Sequence, residues 1–240
     1  MMETGMSRID QSQIRNRLLA SLPAADFERL APALTLVDLP LKQVLLEAEE
    51  PIEIAHFLET GMASYLAYLE SGEAVEVGIV GSEGMVGLPI VLGVDSGSFG
   101  AIVQQAGTAL RINPPALKQA FGESEALRNL LMRYMQALHS QVSQTALCNS
   151  YHTLEERLSR WLLMTQDRAG GDQFSMTHEF MALMLGVRRA GVTITAGTLK
   201  RAGLIHYANG EVTVLDRAGL EQAACECYAN VERQFKQLLG

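Results

Sequence analysis

Four basic side chains near the C-terminal end of the sequence have the types and spacing needed to neutralise a polyanion. They are Arg188, Arg189, Lys200 and Arg201. No aspartate or glutamate lies between Glu179 and Glu211, so this window has a local charge of +4. Binding to duplex DNA depends on local neutralisation of phosphates and not on net charge. The window therefore predicts a DNA-binding surface; the alternative is a solvated helix surface without a partner.

The residues around these basic side chains follow the pattern of a winged helix-turn-helix. Thr177 can cap a first helix, and Gly186 ends it with a turn that favours positive φ. The second helix opens on the paired arginines. Two β-prone runs, 204–207 and 212–215, then flank Asn209-Gly210, which is a strong hairpin signal. This order is typical of a unit that places one helix in a DNA groove.

Composition bounds the class of protein. The chain has 240 residues, of which 48% are hydrophobic, and a net charge of −8, and this length can hold two small domains. Residues 1–150 carry 9 Lys and Arg against 17 Asp and Glu, whereas 151–240 carry 10 against 10. The longest uncharged apolar stretch, 84–94, is too short to cross a membrane, and the first residues lack the segments of a secretion signal. We expect a cytoplasmic protein that does not enter a membrane.

The three cysteines, Cys148, Cys225 and Cys227, are an odd set without zinc-finger spacing, which argues against a disulfide framework. Cys225 and Cys227 could ligate a metal. On a predicted helix, however, residues two apart point in different directions, so we interpret them as ordinary helical cysteines. The sequence thus predicts neither a metal nor a cofactor.

The pattern changes to short β runs between residues 36 and 112. The runs are 36–39, 54–58, 64–69, 74–80, 101–104 and 108–112, separated by frequent glycines. Such spacing is typical of an antiparallel barrel or jelly roll. Before the runs, apolar residues at helical spacing predict two short amphipathic helices broken at Pro23.

A long helix is predicted after the β runs, from about residue 125 to residue 148, because this stretch has no proline or glycine and a regular apolar stripe. The stripe consists of Leu127, Leu131, Tyr134, Leu138 and Val142. Its steps of four, three, four and four are close to a coiled-coil seam, which predicts a homodimer. The alternative is a helix buried within one subunit. Thr153 and Glu156 then form a capping box for the next helix.

The order of short helices, glycine-rich β roll, long helix and winged helix-turn-helix resembles the Crp/Fnr family of bacterial transcription regulators over essentially the whole chain. The implied fold is α+β. Residues 1–120 would form a jelly-roll-like antiparallel β roll with N-terminal helices, resembling a cyclic-nucleotide-binding domain. Residues 121–150 would form a dimerisation helix, and residues 151–240 a winged helix-turn-helix domain that binds DNA.

The resemblance also implies roles for individual residues in DNA binding. The first residues of the second helix, Arg188, Arg189 and Thr193, would contact base edges and phosphates, with Thr177 and Lys200 near the DNA backbone. Gly191 and Gly197 depart from the family pattern for this helix. Each glycine costs about 1 kcal/mol relative to alanine in a helix interior.

The predicted sensor departs further from the family. Members that bind cyclic nucleotides resemble one another in a glycine-glutamate pair and an arginine-serine pair, whereas the matching positions here are Gly87-Leu88 and residues 99–101. From Gln43 to Leu110 there is no lysine or arginine, but ten acids. A buried phosphate needs a cation or aimed amides. We therefore expect that cyclic AMP is not the effector.

The effector, if there is one, is left as an unknown small molecule. Met85, Gly87, Leu88 and Phe99 could line an apolar pocket, but core packing or a subunit contact is the favoured interpretation. The iron-sulfur branch of the family is excluded, because this chain lacks the N-terminal cysteines of that branch. His56, the lone histidine of the β runs, is interpreted as structural rather than as a haem ligand.

Two other classes of protein are alternatives to a DNA-binding regulator. A cupin-like enzyme needs clustered histidines, but the five histidines here are scattered, and no nucleophile constellation is present. A winged helix that binds only a protein partner would show weak, non-specific DNA affinity. We predict a homodimeric, sequence-specific transcription regulator of an inverted-repeat operator, with RNA polymerase as a further partner.

Overall fold

The computed structural model describes residues 9–240, and its N-terminal part begins with short helices. A 3-10 helix at Gln11–Gln13 precedes α1 (Arg17–Ala20), α2 (Ala24–Leu30) and a 3-10 turn at Ala31–Ala33. Pro23 is the residue before α2, as predicted from its missing N–H. The buried apolar residues of α1 and α2 are Leu18, Leu19, Phe27 and Leu30.

Six antiparallel strands form the β roll. They are β1 (Thr35–Leu39), β2 (Val44–Leu46), β3 (Ala55–Tyr68), β4 (Ala74–Val80), β5 (Met85–Val86) and β6 (Gly100–Ile112). The order is β1-β6-β3-β4, with β2 paired to β6 and β5 paired to β3. A 3-10 helix at Leu88–Leu92 follows β5. The antiparallel roll expected from the sequence is thus confirmed.

Two pairs of predicted strands are in fact single long strands. The runs 54–58 and 64–69 belong to β3, and the runs 101–104 and 108–112 belong to β6. The β3–β6 register shifts at three places, where the strands bend without ending. Glycine is required at this bend, because a Cβ on Gly107 would lie only 2.2 Å from the Thr60 carbonyl oxygen.

The long helix is confirmed, but the predicted dimer seam is wrong. After α3 (Pro114–Glu123), helix α4 runs from Glu125 to Tyr151, with the Ser124 hydroxyl accepting a hydrogen bond from the Leu127 N–H. Of the five predicted seam residues, Leu127, Leu131 and Tyr134 are buried in the chain itself. The other two, Leu138 and Val142, lie against Gly78 of β4. The stripe covers the β roll, because an apolar periodicity does not specify its partner.

The C-terminal part contains five helices and a three-stranded sheet. The elements are α5 (Leu154–Ala169), β7 (Gln173–Ser175), α6 (His178–Leu185), α7 (Arg189–Arg201), β8 (Ile205–Ala208), β9 (Glu211–Val214), α8 (Arg217–Ala223) and α9 (Cys227–Leu239). The predicted capping box is confirmed, because Thr153 and Glu156 each bond the other's backbone N–H. Asn209 and Gly210 both have positive φ in the turn between β8 and β9. Within residues 9–240, none of the helices has the length and apolar character needed to cross a membrane.

The cysteine pair does not lie on one helix, which corrects the sequence interpretation. Cys225 lies in the turn after α8, and only Cys227 is helical, as the first residue of α9. The argument that helical neighbours point apart therefore does not apply to these two residues.

Candidate nucleic-acid interface

Helix α6 has a hydrogen-bonded cap at both of its ends. Thr177 caps α6 through its hydroxyl, which accepts from the Phe180 N–H at 3.2 Å. At the other end, Gly186 adopts a left-handed conformation with φ 62°, and its N–H bonds the carbonyls of α6. The Arg157 guanidinium donates to the Leu185 carbonyl. The Arg157 hydrogen bond thus ties the C-terminal end of α6 to α5, while α6 packs against α7 and β4.

Helix α7 has one buried face and one exposed basic face. Its buried residues are Val192, Ala196 and Leu199. Arg189, Thr193 and Lys200 lie together along one flank of the helix, and all three are exposed. Arg188 is the N-terminal cap residue, so the helix proper begins at Arg189. Small and branched residues pack one side of this helix into the domain. The other side is exposed and can enter a groove.

The glycines of α7 have a geometric explanation. A Cβ on Gly191 would lie 3.1 Å from the side chain of Leu154, the first residue of α5, so glycine lets the two helices approach closely. Gly197 has open space around its Cα apart from the Arg201 guanidinium. It lies on the exposed face one turn after Thr193, where a missing side chain leaves the backbone accessible.

The predicted DNA-contacting side chains already have partners within the chain. The Thr193 hydroxyl donates to the Arg189 carbonyl and lies 3.0 Å from His178 Nδ1. Lys200 Nζ donates to the Tyr207 carbonyl at 3.0 Å, which ties α7 to the hairpin. Arg189 is 3.7 Å from the Glu179 carboxylate, and both side chains are exposed. An exposed pair of this kind contributes little and can exchange for a phosphate or a base.

The β8–β9 hairpin lies beside the start of α6. The Met176 N–H donates to the Gly210 carbonyl at 2.6 Å, so the hairpin tip and Thr177 are neighbours. The structure thus brings together the N-terminus of α6, the exposed face of α7 and the hairpin. In the sequence, Glu179 and Glu211 are the acids at the two borders of the basic window.

Three residues of this surface were not singled out from the sequence. Ile194 projects from α7 with 69% of its surface exposed, next to Thr193. His178 stacks on Tyr207, with ring centroids 4.1 Å apart. Burial, followed by the Arg189 charge, lowers the pKa of His178. A helical projection would have found Ile194, because Val192, Ala196 and Leu199 define the buried face. The His178–Tyr207 contact joins two elements that the sequence does not align.

The four candidate pocket residues of the β roll do not share one environment. Met85 is completely buried, and its carbonyl accepts hydrogen bonds from Tyr65 and Tyr134 at 3.2 and 3.0 Å. Leu88 is also buried, and Gly87 adopts φ 103° before the 3-10 helix. Phe99, in contrast, is 44% exposed. This distribution favours the core-packing interpretation.

His56 is buried in the β roll, as expected for a structural histidine. Desolvation, followed by the charge of Arg111, lowers the pKa of His56 to about 4. The imidazole is therefore neutral at physiological pH.

Comparison with known proteins identifies the winged helix. Residues 156–223 match the family model of the Crp-like helix-turn-helix domain. A search of curated proteins found no match.

Solved structures share the fold of most of the chain. A protein described as a Crp/Fnr family regulator from Eubacterium rectale is 18% identical, with a TM-score of 0.68, over 86% of this chain and 96% of that one. FixK2 from Bradyrhizobium japonicum is 16% identical with a TM-score of 0.69, over 80% and 98%. A CRP family regulator from Thermus thermophilus is 21% identical with a TM-score of 0.65, over 78% and 96%.

Proposed function

We propose that this chain, which has the Crp/Fnr regulator fold and a Crp-like helix-turn-helix DNA-binding domain, is a homodimeric, sequence-specific regulator of transcription. One observation carries the proposal. An exposed flank of α7 presents Arg189, Thr193 and Lys200 to solvent beside the hairpin, and α7 itself contains no acid.

Different side chains of this face have different parts in recognition. Arg189 is the first helical residue, where a guanidinium can reach guanine O6 and N7 with two parallel hydrogen bonds. The methyl groups of Thr193 and Ile194 can contact a thymine methyl group. Lys200 and Arg201 lie in the last turn of α7, where a positive charge meets phosphate. Arg189 therefore contributes sequence preference, and Lys200 contributes affinity for any sequence.

A second copy of the chain is the partner that fits the outer face of α4. Met132 and Leu147 are about half exposed and lie on the same side of the helix as His139 and Ser143. Between Arg133 and Glu155 there is no aspartate, glutamate, lysine or arginine. A long exposed helix face without charges is typical of a surface that is covered by another chain. Two copies of α4 packed through this face would present two reading helices to an inverted repeat.

The β roll is proposed not to bind cyclic AMP. No lysine or arginine lies between Gln43 and Leu110, and the start of the 3-10 helix after β5 is occupied by buried Leu88. An anionic phosphate would have to be buried among acids without a cation, which is costly.

The decisive experiment for DNA reading separates Arg189 from Lys200. Selection of bound fragments from random duplex DNA first defines the site, and titrations on matched and single-mismatch duplexes at two salt concentrations follow. Arg189→Ala is expected to cost about 1 to 3 kcal/mol on the matched duplex and to relax preference at one base pair. Lys200→Ala is expected to weaken all duplexes equally and to flatten the salt dependence by about one charge per subunit.

Arg29→Ala is the matched control for these titrations, because Arg29 is exposed on α2 and pairs with Asp26 in its own helix. It is expected to leave DNA binding unchanged. The assignment of α7 as the reading helix is wrong if Arg189→Ala discriminates between the duplexes as well as the wild type does.

The dimer is tested by placing a charge on the outer face of α4. Met132→Glu is expected to raise the dimer dissociation constant about a hundredfold, because two unpaired carboxylates would be desolvated near the two-fold axis. Sedimentation equilibrium measures the constant. Leu36→Glu is the control, because Leu36 is similarly exposed but lies on β1. An unchanged constant for Met132→Glu would place the interface elsewhere.

A further inference from the structure

Four side chains with metal-binding atoms converge where the end of α4 meets the turn between α8 and α9. They are Cys148, His152, Cys225 and Cys227. Their sulfur and ring nitrogen atoms all lie within 4.8 Å of one another. Cys148 Sγ is 3.5 Å from Cys225 Sγ, and Cys227 Sγ is 3.5 Å from His152 Nδ1. The three segments thus aim four soft donors at one point.

Local backbone geometry explains the convergence. Cys148 lies on the last turns of α4, and His152 follows four residues later as its C-terminal cap, so both reach the same side of the helix end. Cys225 lies in the turn before α9, and Cys227 is the first residue of that helix. The change from turn to helix between them lets two cysteines only two positions apart point the same way.

The distances fit one tetrahedral ion. With metal–sulfur bonds of about 2.3 Å, tetrahedral geometry separates two thiolates by about 3.8 Å. The separations of 3.5 Å between the two sulfur atoms, and between sulfur and nitrogen, are close to that value. An iron-sulfur cluster would require wider spacing for part of its ligand set, because its four ligands are divided between at least two iron atoms. Three cysteines and one histidine are a donor set of closed, structural zinc sites.

The surroundings of the cluster support ligation over ordinary packing. The three cysteines are buried, and the His152 side chain is only 13% exposed. His152 Nε2 lies 3.3 Å from the Glu226 carboxylate, so the nitrogen opposite the cluster has an acidic partner. Metal-binding histidines commonly have such a carboxylate behind them, which fixes the ring orientation. Gln144 Nε2 lies 3.0 Å from Cys227 Sγ and can donate to it.

We propose that Cys148, His152, Cys225 and Cys227 bind one Zn²⁺ ion, which fastens the C-terminal helix α9 to the end of α4. The three thiols release their protons to solvent as the thiolates bind, and neutral His152 binds through Nδ1. The ion has four protein ligands and no open position, so its role is structural. It holds the DNA-binding domain in place relative to α4, since α9 packs along α4 and α8 packs on α5.

Metal content of the full-length protein tests the proposal directly. The protein is purified with a phosphine reductant, saturated with zinc sulfate, dialysed and analysed by plasma mass spectrometry. One zinc per chain is expected for the wild type. His152→Asn is expected to retain at most about one tenth of the zinc that the wild type retains. His139→Asn is the matched control, because His139 is an exposed histidine on the same helix, and it is expected to keep one zinc per chain.

A second measurement does not depend on a variant that removes a ligand. Glu226→Gln leaves all four donors in place and is expected to weaken zinc binding about tenfold or more, as measured by competition with a chromophoric chelator. For the wild type, a strong chelator is expected to lower the melting temperature, and added Zn²⁺ is expected to restore it. These results depend on neither DNA binding nor dimerisation.

Three outcomes would overturn the proposal. The first is reduced, folded wild-type protein that keeps no zinc after dialysis. The second is a Cys148–Cys225 disulfide in protein isolated without oxygen, since those sulfurs would then be unable to ligate. The third is stoichiometric iron with acid-labile sulfide instead of zinc.

Discussion

The winged helix-turn-helix domain contacts the rest of the chain at several places, since α6 also packs on β4, and two of these joints differ in their chemistry. The first joint, between the β4 region and α5, uses charged and hydrogen-bonded groups: Trp161 Nε1 donates to Glu76 at 2.8 Å, and Arg168 lies 2.6 Å from Glu83. The second joint, between α4 and α9, uses the four soft donors of the Cys/His cluster. The groups of the first joint bind one another directly, whereas those of the second joint bind the metal ion proposed above.

The first joint explains part of the unusual charge of the β roll. The segment from Gln43 to Leu110 has ten acids and no lysine or arginine. Three of these acids, Glu59, Glu76 and Glu83, are buried. Glu76 and Glu83 have N–H or cationic partners on α5, whereas Glu59 accepts from the backbone N–H groups of Arg15 and Asn16. The acidic composition is therefore partly a requirement of the joint and not only a property of the solvent-exposed surface.

Removing the cation of the first joint is expected to have the largest effect on stability. Arg168→Ala leaves Glu83 buried without its partner, because the two side chains are each only 10% exposed. Breaking such a buried pair costs about 3 to 5 kcal/mol of unfolding free energy. Urea unfolding measures this change, and adding Glu83→Gln to Arg168→Ala is expected to recover part of the loss.

The pair formed by exposed Arg29 and half-buried Asp26 provides the control for this experiment. Arg29→Ala is expected to change stability by less than about 1 kcal/mol. An equally small effect of Arg168→Ala would show that the first joint does not depend on its ion pair, and the contrast between the two joints would then disappear.

The sequence predicts local features of this molecule well, because a few neighbouring residues determine them. The turn at Asn209 and Gly210, the capping box of Thr153 with Glu156, and the two arginines at the start of α7 all follow from short-range rules. Local chemistry determines each of these features with little help from the rest of the chain.

Features that depend on distant residues were mistaken or missed. The apolar stripe of α4 was correctly found, but whether Tyr134 faces a second copy or the β roll is decided by Met85, which is 49 residues away. Similarly, Cys148 meets Cys225 across 77 residues. The spacing of Cys148 and His152, four residues apart at a helix end, was the one local signal that could have indicated the cluster.

A pH dependence distinguishes the two joints by its sign. Burial raises the pKa of Glu76 to about 7, although hydrogen bonds from Ser64 and Trp161 oppose the shift. The Ser64 hydroxyl donates to Glu76 Oε2 and also contacts the side-chain amide of Gln104. The folded state thus holds a proton on Glu76 that the unfolded state releases above its ordinary pKa of 4.5.

This difference makes stability fall with rising pH at the first joint. The contribution of Glu76 is fully present below about pH 4.5 and is lost by about pH 7, to a total of about 3 kcal/mol. Zinc binding to thiolates changes in the opposite direction, because it strengthens as pH rises.

Glu76→Gln cannot titrate, so its unfolding free energy is expected to fall less than that of the wild type between pH 5 and pH 8. Subtracting the two urea-unfolding curves cancels the contribution of the cluster, and exposed Glu73→Gln is the control with the wild-type slope. Parallel pH profiles for wild type and Glu76→Gln would mean that Glu76 is ionised throughout this range and that the first joint is a permanent ionic contact.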